Sequence, residues 1–409
     1  MLSENESRAQ SWPLVAVIAF SLFIDYFLYG ILLPLAAHSP AGLNSEEQLS
    51  WLYGAYAVSV LAVTPLFGFL GDRVGPRSIV LCGIALATCA TALFGLGSSF
   101  QVLLLARLCQ GAASAALWTA GLSLVAAHYR EKRVEMIGYA FTGSTAGSVL
   151  GPIAGGLLAQ IGGFKLPFLA TGALLAIDAL LIVLVVPSVR HPGQDAVSIP
   201  KLLTNKSIMV PALAVALAAF AVGVIEPLLP VRLVRYGLTS KATGLIFTIS
   251  TLVYGLCAPV VGRISERFSV NKVIALGAIA MAGTLPLLSA FSQAGLVCVA
   301  VTLVYVSFAF MLNPASAELG NVVDRAGMSC YSTVYAVYNI VYSLGMLATA
   351  AFASTAARLL GFLGALLSIS GVLVLCVPLL WRSTRSQIPA TESAPQNLLE
   401  EKNCYDSEY

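Results

Sequence analysis

Charge is scarce in this chain. Asp, Glu, Lys and Arg make up 10% of its 409 residues, against roughly 25% in a soluble globular domain. So few charges cannot cover the surface of a water-soluble protein of this length, and that class is excluded. Histidine is nearly missing too. There are three, His38, His128 and His191, and all fall between apolar runs rather than within them, which excludes a histidine proton relay across a membrane. The cysteines show no Cys-x-x-Cys spacing and most lie in apolar runs, where they serve as small packing residues. Neither a disulfide nor a metal site is expected. No phosphate-binding loop with its lysine is present, so ATP is not the energy source. No nucleophile stands with a base, so the chain is not expected to be an enzyme, and no cofactor is called for.

What fills the chain instead is apolar. Hydrophobic residues are 58% and the mean hydropathy is +0.88. Apolar runs occur near 13–35, 50–71, 78–97, 101–126, 135–160, 166–187, 208–231, 242–262, 272–291, 294–316, 331–353 and 359–381. Each is close to the ~20 residues that a helix needs to cross the hydrocarbon. The first run is too long for a signal-peptide core and carries Asp25, so it is read as a retained helix. The expected fold class is an all-α membrane protein with twelve transmembrane helices in two pseudo-symmetric six-helix bundles. Lysine and arginine gather on the side of the two termini, which places both termini in the cytoplasm. The expected organisation is a tail at 1–12, a first bundle at 13–187, a cytoplasmic linker at 188–207 with Pro192, Gly193 and Pro200, a second bundle at 208–381 and a tail at 382–409.

Two segments repeat in outline. Gly68-Phe-Leu-Gly-Asp72-Arg73-Val-Gly75-Pro76-Arg77 lies between two apolar runs, and Gly262-Arg-Ile-Ser-Glu266-Arg267 follows a later one. In both, an acid comes four residues after the first glycine and an arginine follows it. Charge and glycine between membrane-length segments mark a tight loop at a membrane face, and its recurrence suggests a transporter built from repeats. The fifth run carries Gly138, Gly143, Gly147, Gly151-Pro152 and Gly155-Gly156. Glycine near every fourth residue is expected to line one helix face and let a neighbour approach closely, and Pro152 removes a backbone donor.

These motifs together resemble the major facilitator superfamily over nearly the whole chain. The 68–77 segment resembles its loop motif between the second and third helices, Arg107-Leu-Cys-Gln110-Gly111 its fourth-helix motif, and 138–156 the fifth-helix motif of its drug:proton antiporters. A finer resemblance is to the vesicular amine and polyamine transporter branch with its bacterial relatives. It is carried by Asp25-Tyr26 through Pro34, by Ile225-Glu226-Pro227, by Asp178 and by Val334-Tyr335-Ala. The lysine of that branch's second helix is Tyr56 here, and the aspartate of its eleventh is Asn339, so a buried cation and a buried anion are replaced together. The stretch 36–49 is short and has no glycosylation acceptor, which fits a bacterial cytoplasmic membrane better than a vesicle.

Ionisable groups inside apolar runs are costly and are functional candidates by default. Asp25 lies about 18 Å along its helix, near the mid-plane, and is expected to bind either a proton or a cationic solute. Glu226, just before Pro227 and Pro230, suits a cation site or an outer gate. Arg107 serves either proton coupling or a salt bridge in the first half, and Asp178 serves either coupling or a bond to a neighbouring helix. Tyr26 and Tyr29 flank Asp25. Tyr335, Tyr338 and Tyr342 share one helix face, with Asn339 beside them. Aromatic faces hold cations, although such a stripe suits helix packing equally. Tyr56 and Asn313 complete the expected cavity. Gly68, Asp72, Arg73 and Arg77 are expected to control switching, with Asp72 capping the next helix or pairing across to the other half and Arg130 as its partner; Gly147, Gly151 and Pro152 join that set. The resemblance implies proton-driven export of a small organic cationic or amphipathic solute by alternating access. Export of a siderophore-like carboxylate or another polar metabolite, and proton-coupled uptake, remain open. The expected partners are that solute, protons and the lipid bilayer, with no nucleic acid, and the chain is expected to act as a monomer.

Overall fold

Lipid offers no hydrogen bonds, so a chain this apolar satisfies its backbone within helices. The computed structural model describes residues 4–35, 46–187, 199, 202, 204–225, 229, 232, 233, 236, 240–328 and 330–381, and among them the regular structure is helical throughout. In chain order the helices are α1 (Glu4–Leu35), α2 (Glu46–Val74), α3 (Pro76–Leu96), α4 (Phe100–His128), α5 (Arg133–Gly162), α6 (Leu166–Val185), α7 (Lys206–Gly223), α8 (Ser240–Arg267), α9 (Val270–Thr284) and α10 (Ala294–Arg325), with a single turn at Leu287–Ala290. The last stretch, Tyr331–Trp381, breaks at Gly361 (φ 72°) into α11 (331–360) and α12 (362–381). Among the described residues nine helices are long and apolar enough to cross a membrane. Their outward faces carry exposed Leu169, Leu184, Leu256 and Leu375, as lipid contact requires.

The join between α2 and α3 is a single residue. Gly75 takes φ 93°, a conformation costly for any residue with a Cβ. Pro76 then opens α3 at a position where its missing N–H is not needed.

Small residues set the helix contacts. Gly143, Gly147, Gly151 and Gly155 recur every four residues and face α1. A Cβ added at Gly143 or Gly147 would collide with the carbonyl oxygen of Ala19 or Phe23; one at Gly151 would lie 2.6 Å from Phe27 O. The two backbones therefore touch, as close helix pairs in membranes do. α5 runs unbroken through Pro152, whose ring packs against Gly30. Gly138 is an exception to the single glycine face expected of this helix. Five residues before Gly143, it is turned away toward α8, where an added Cβ would lie 2.7–2.8 Å from the backbone of Ala258 and Pro259; beside Gly156 there is open space.

Between the first six helices and the rest, α5 packs on α8, α2 and α4 pack on the Tyr331–Trp381 stretch, and α10 packs on α4 and α5. Gly68 fits against Ala336 and Gly71 against Ser332 of α11, Gly255 against Thr145, and Gly262 against the Glu135 backbone. These contacts gather at the end of the bundle that holds the connections at 75, 129–132, 268–269 and 326–330, called here the charged end.

Candidate functional site

One face of α4 builds the centre of the site. Arg107, Ser114 and Trp118 follow one another at helical spacing in an alanine-rich helix, with Gln110 on the same turn as Arg107. Asp25 of α1 is 4% exposed. Its Oδ2 accepts the Ser114 hydroxyl at 2.8 Å and the Trp118 indole N–H at 3.1 Å. Ser114 Oγ accepts in turn from the Tyr56 hydroxyl at 2.9 Å. Two donors on one carboxylate oxygen suit its ionised form.

Aromatic rings surround this acid. Tyr26 meets Trp118 edge-on at 5.7 Å, and Tyr29 lies 5.1 Å from Tyr56. Arg107 is fully buried; its Nη1 donates to Gln110 Oε1 at 2.7 Å, and its guanidinium lies 5.0 Å from the Tyr29 ring and 5.8 Å from that of Tyr56. Asp25, Arg107, Tyr26, Tyr29 and Tyr56 thus form one cluster. From Trp118 the rings continue through Phe141 to Tyr338 of α11, and Tyr338 stacks on Tyr342 at 6.2 Å. Tyr26, Tyr29, Tyr56, Trp118 and Tyr342 are only half-buried, so the cluster borders open space.

Other expected site residues lie elsewhere. Tyr335 is fully buried and donates its hydroxyl to Ser316 O of α10, inside the second half. Asn313 donates to Ala258 O at 3.2 Å. Asn339 Nδ2 donates to Thr119 Oγ1 at 2.9 Å, which ties α11 to α4 next to Trp118. Glu226, Pro227 and Pro230 lie outside the described residues. Among the described residues, no cluster of His, Cys, Asp or Glu is arranged to hold a metal ion, and the described cysteines are free.

Below this cluster the charged end is shut by polar contacts between the halves. Asp72 does not cap α3. Its carboxylate accepts from Ser332 N (2.8 Å), Thr333 N (3.0 Å) and Thr333 Oγ1 (2.5 Å), capping α11 of the other half. It sits where the exposed N–H groups of that helix and their partial positive charge favour an anion. Arg130 does not pair with Asp72 either; it lies 3.6 Å from Asp324 of α10, while Ser332 and Thr333 of α11 are the donors to Asp72. Arg73 lies over the Phe69 ring and Arg77 donates to Val183 O, so both stay within the first half.

The strongest closing contact belongs to Arg133, a residue the sequence hides in a basic loop. Its guanidinium donates to Ala126 O (2.8 Å), Asn321 Oδ1 (2.5 Å) and Asp324 Oδ2 (2.6 Å). Tyr331 donates its hydroxyl to Asp324 as well. Across α5 and α8, Arg263 pairs with Glu135 at 2.8 Å and Thr142 donates to Gly255 O at 2.7 Å. Asn339, about 12 Å into α11 at 1.5 Å per residue, marks the depth reached by this closure.

The arrangement is a buried acid in an aromatic cluster, placed over a seam that is held by separable contacts. Comparison with known proteins bears on the chain as a whole. The family model described as Major Facilitator Superfamily matches the chain twice, at residues 15–211 and 211–403. The human synaptic vesicular amine transporter is 26% identical over 377 residues, covering 88% of this chain and 71% of that protein. The vesicular acetylcholine transporter of Drosophila melanogaster is 26% identical over 341 residues, covering 80% and 58%. The crystal structure of the human organic anion transporter MFSD10 superposes with a TM-score of 0.75 at 18% identity, covering 90% of this chain and 99% of that one.

Proposed function

Since the chain belongs to the Major Facilitator Superfamily and is a transporter rather than an enzyme, we propose that it is a proton-coupled antiporter exporting a small organic cation or amphipathic amine by alternating access. Asp25 carries this reading. A buried carboxylate that accepts two donors and faces tyrosine rings offers one place to a proton or to an ammonium group. Competition for that place drives the two in opposite directions, and the rings add favourable contact with a cation. The names of the two vesicular relatives support a cationic solute.

In this reading twelve helices cross the membrane as two bundles, 13–187 and 208–381, joined by 188–207. The tails 1–12 and 382–409 lie in the cytoplasm, and the membrane is a bacterial cytoplasmic one. The excess of Lys and Arg at the charged end makes that end cytoplasmic. The state described is then closed to the cytoplasm, and Asp72–α11 and Arg133–Asp324 must part before the cytoplasmic side opens. The chain works as a monomer.

A second reading has its own observation. Arg107 places a buried guanidinium against Tyr29 and Tyr56 in the same cluster, which suits an organic carboxylate. Purified protein in liposomes loaded with a pH-sensitive dye separates the two. Phenethylamine and spermidine are tested against benzoate, with Asp25→Asn as control. Proton movement opposite to an amine, lost in Asp25→Asn, supports the first reading. Movement with benzoate alone supports the second, and protons travelling with the solute would mean uptake.

A further inference from the structure

A second acid is buried outside the tyrosine cluster. Asp178 of α6 is 0% exposed. Its Oδ2 has no hydrogen-bond partner among the described residues. The arginines in ion pairs there are Arg130, Arg133, Arg263 and Arg325, and none pairs with Asp178. An ionised carboxylate so placed is strongly disfavoured.

The hydrogen count points the same way. Ser21 Oγ lies 2.9 Å from Asp178 Oδ1 and 3.1 Å from Val17 O. A serine hydroxyl has one hydrogen. If Asp178 were ionised, two acceptors would compete for it. If Asp178 is protonated, the three groups close into a chain: Oδ1–H donates to Ser21 Oγ, and the Ser21 hydroxyl donates to Val17 O. Only the Oδ2 carbonyl is then left without a donor, a far smaller cost than a naked charge. Asp25 differs in this respect, since it receives two donors.

Among the described residues the neighbours supply no counter-charge. α6 packs on α1, α3 and α5, and it holds no other charged residue. On α3, Arg77 is bonded to Val183 O, and Cys82 and Cys89 are exposed. On α5, Arg133, Glu135 and Tyr139 are engaged at the charged end with α10 and α8. The described side chains of α1 offer Asp25, Tyr26 and Tyr29. Ser21 stands one helical turn from Asp25, so the two acids are joined along α1.

We infer that Asp178 is a second proton-binding carboxyl, protonated in this closed state and hydrogen-bonded through its acidic hydrogen to Ser21. Its coupling role rests on the antiporter reading above. When the charged end opens, the O–H bond of Asp178 breaks, the proton passes to water on that side, and water hydrates the carboxylate that remains. The cycle then carries one proton beyond the one exchanged at Asp25.

Infrared spectroscopy of the purified full chain tests the protonation without any transported solute. The expected result is a protonated-carboxyl C=O band at neutral pH that shifts in heavy water, is lost in Asp178→Asn and is kept in Asp25→Asn. Ser21→Ala retains the acid and should move that band to higher frequency, which keeps the test decisive if Asp178→Asn fails to fold. In liposomes the number of protons moved per phenethylamine should fall by about one in Asp178→Asn. An Asp178→Asn spectrum identical to wild type, a band unmoved by Ser21→Ala, or an unchanged proton ratio would overturn the assignment. Absence of proton movement in the wild type would instead sink the antiporter reading and the coupling role with it.

Discussion

Asp324→Asn should release the charged end. The Arg133 side chain is 1% exposed and Asp324 26%, at 2.6 Å. Removing one partner of a fully buried ion pair costs about 3–5 kcal/mol. Two features reduce that figure here: Asp324 is partly hydrated, and Arg133 keeps Asn321 and Ala126 O. About 2 kcal/mol is a fair value, and if the pair parts on opening, as the proposed alternating access requires, the closed-to-open ratio should fall about 30-fold. Arg130→Ala is the control. That arginine is 68% exposed and 3.6 Å from the same acid, so its loss should cost well under about 1 kcal/mol and change the ratio about twofold. Spin labels at Glu131→Cys and Ala326→Cys, in a background free of native cysteines, report the separation of the two loops. A broadened, longer distance distribution in Asp324→Asn, with little change in Arg130→Ala, is expected. Equal effects of the two variants, or none from Asp324→Asn, would refute the argument that burial sets the strength of this contact.

Two further outcomes follow from the packing and from the site. Gly147→Val forces a branched side chain onto the Phe23 carbonyl and should lower thermal stability in detergent by about 1–3 kcal/mol, whereas Gly156→Ala, with open space beside it, should leave stability nearly unchanged. Trp118→Phe keeps a ring beside Tyr26 but removes an N–H donor to Asp25. A hydrogen bond to a charged group is worth about 1.5–3 kcal/mol, so half-saturation for phenethylamine transport should rise about tenfold or more.

The parts of this molecule that could be read along the chain are those set by local physics. Apolar run length placed the helices. Gly75-Pro76 marked the break after Asp72 because only glycine accepts φ 93° readily there. The four-residue spacing of Gly143, Gly147 and Gly151 foretold a backbone contact, though not that α1 would be the partner. The depth of Asp25 in its run picked it out as a candidate. What stayed hidden was pairing over distance. Ser114 and Trp118 reach Asp25 across 89 and 93 residues, and Asp72 reaches α11 across 260. The helical spacing of Arg107, Ser114 and Trp118 was present as a signal, and a helical wheel of α4 would have found it. Arg133 could not be told from its basic neighbours, since only the fold decides which of Arg130, Lys132 and Arg133 is buried. Spacing groups Tyr335 with Tyr338, yet α10 takes its hydroxyl.

In the proposed cycle Asp25 is the carboxylate at which proton and amine compete. The most direct test is dye-reported proton movement in liposomes driven by a phenethylamine gradient, in wild type and Asp25→Asn side by side. Protons should move opposite to the amine in wild type and not at all in Asp25→Asn, with the variant still folded. Coupled movement that survives Asp25→Asn would contradict it.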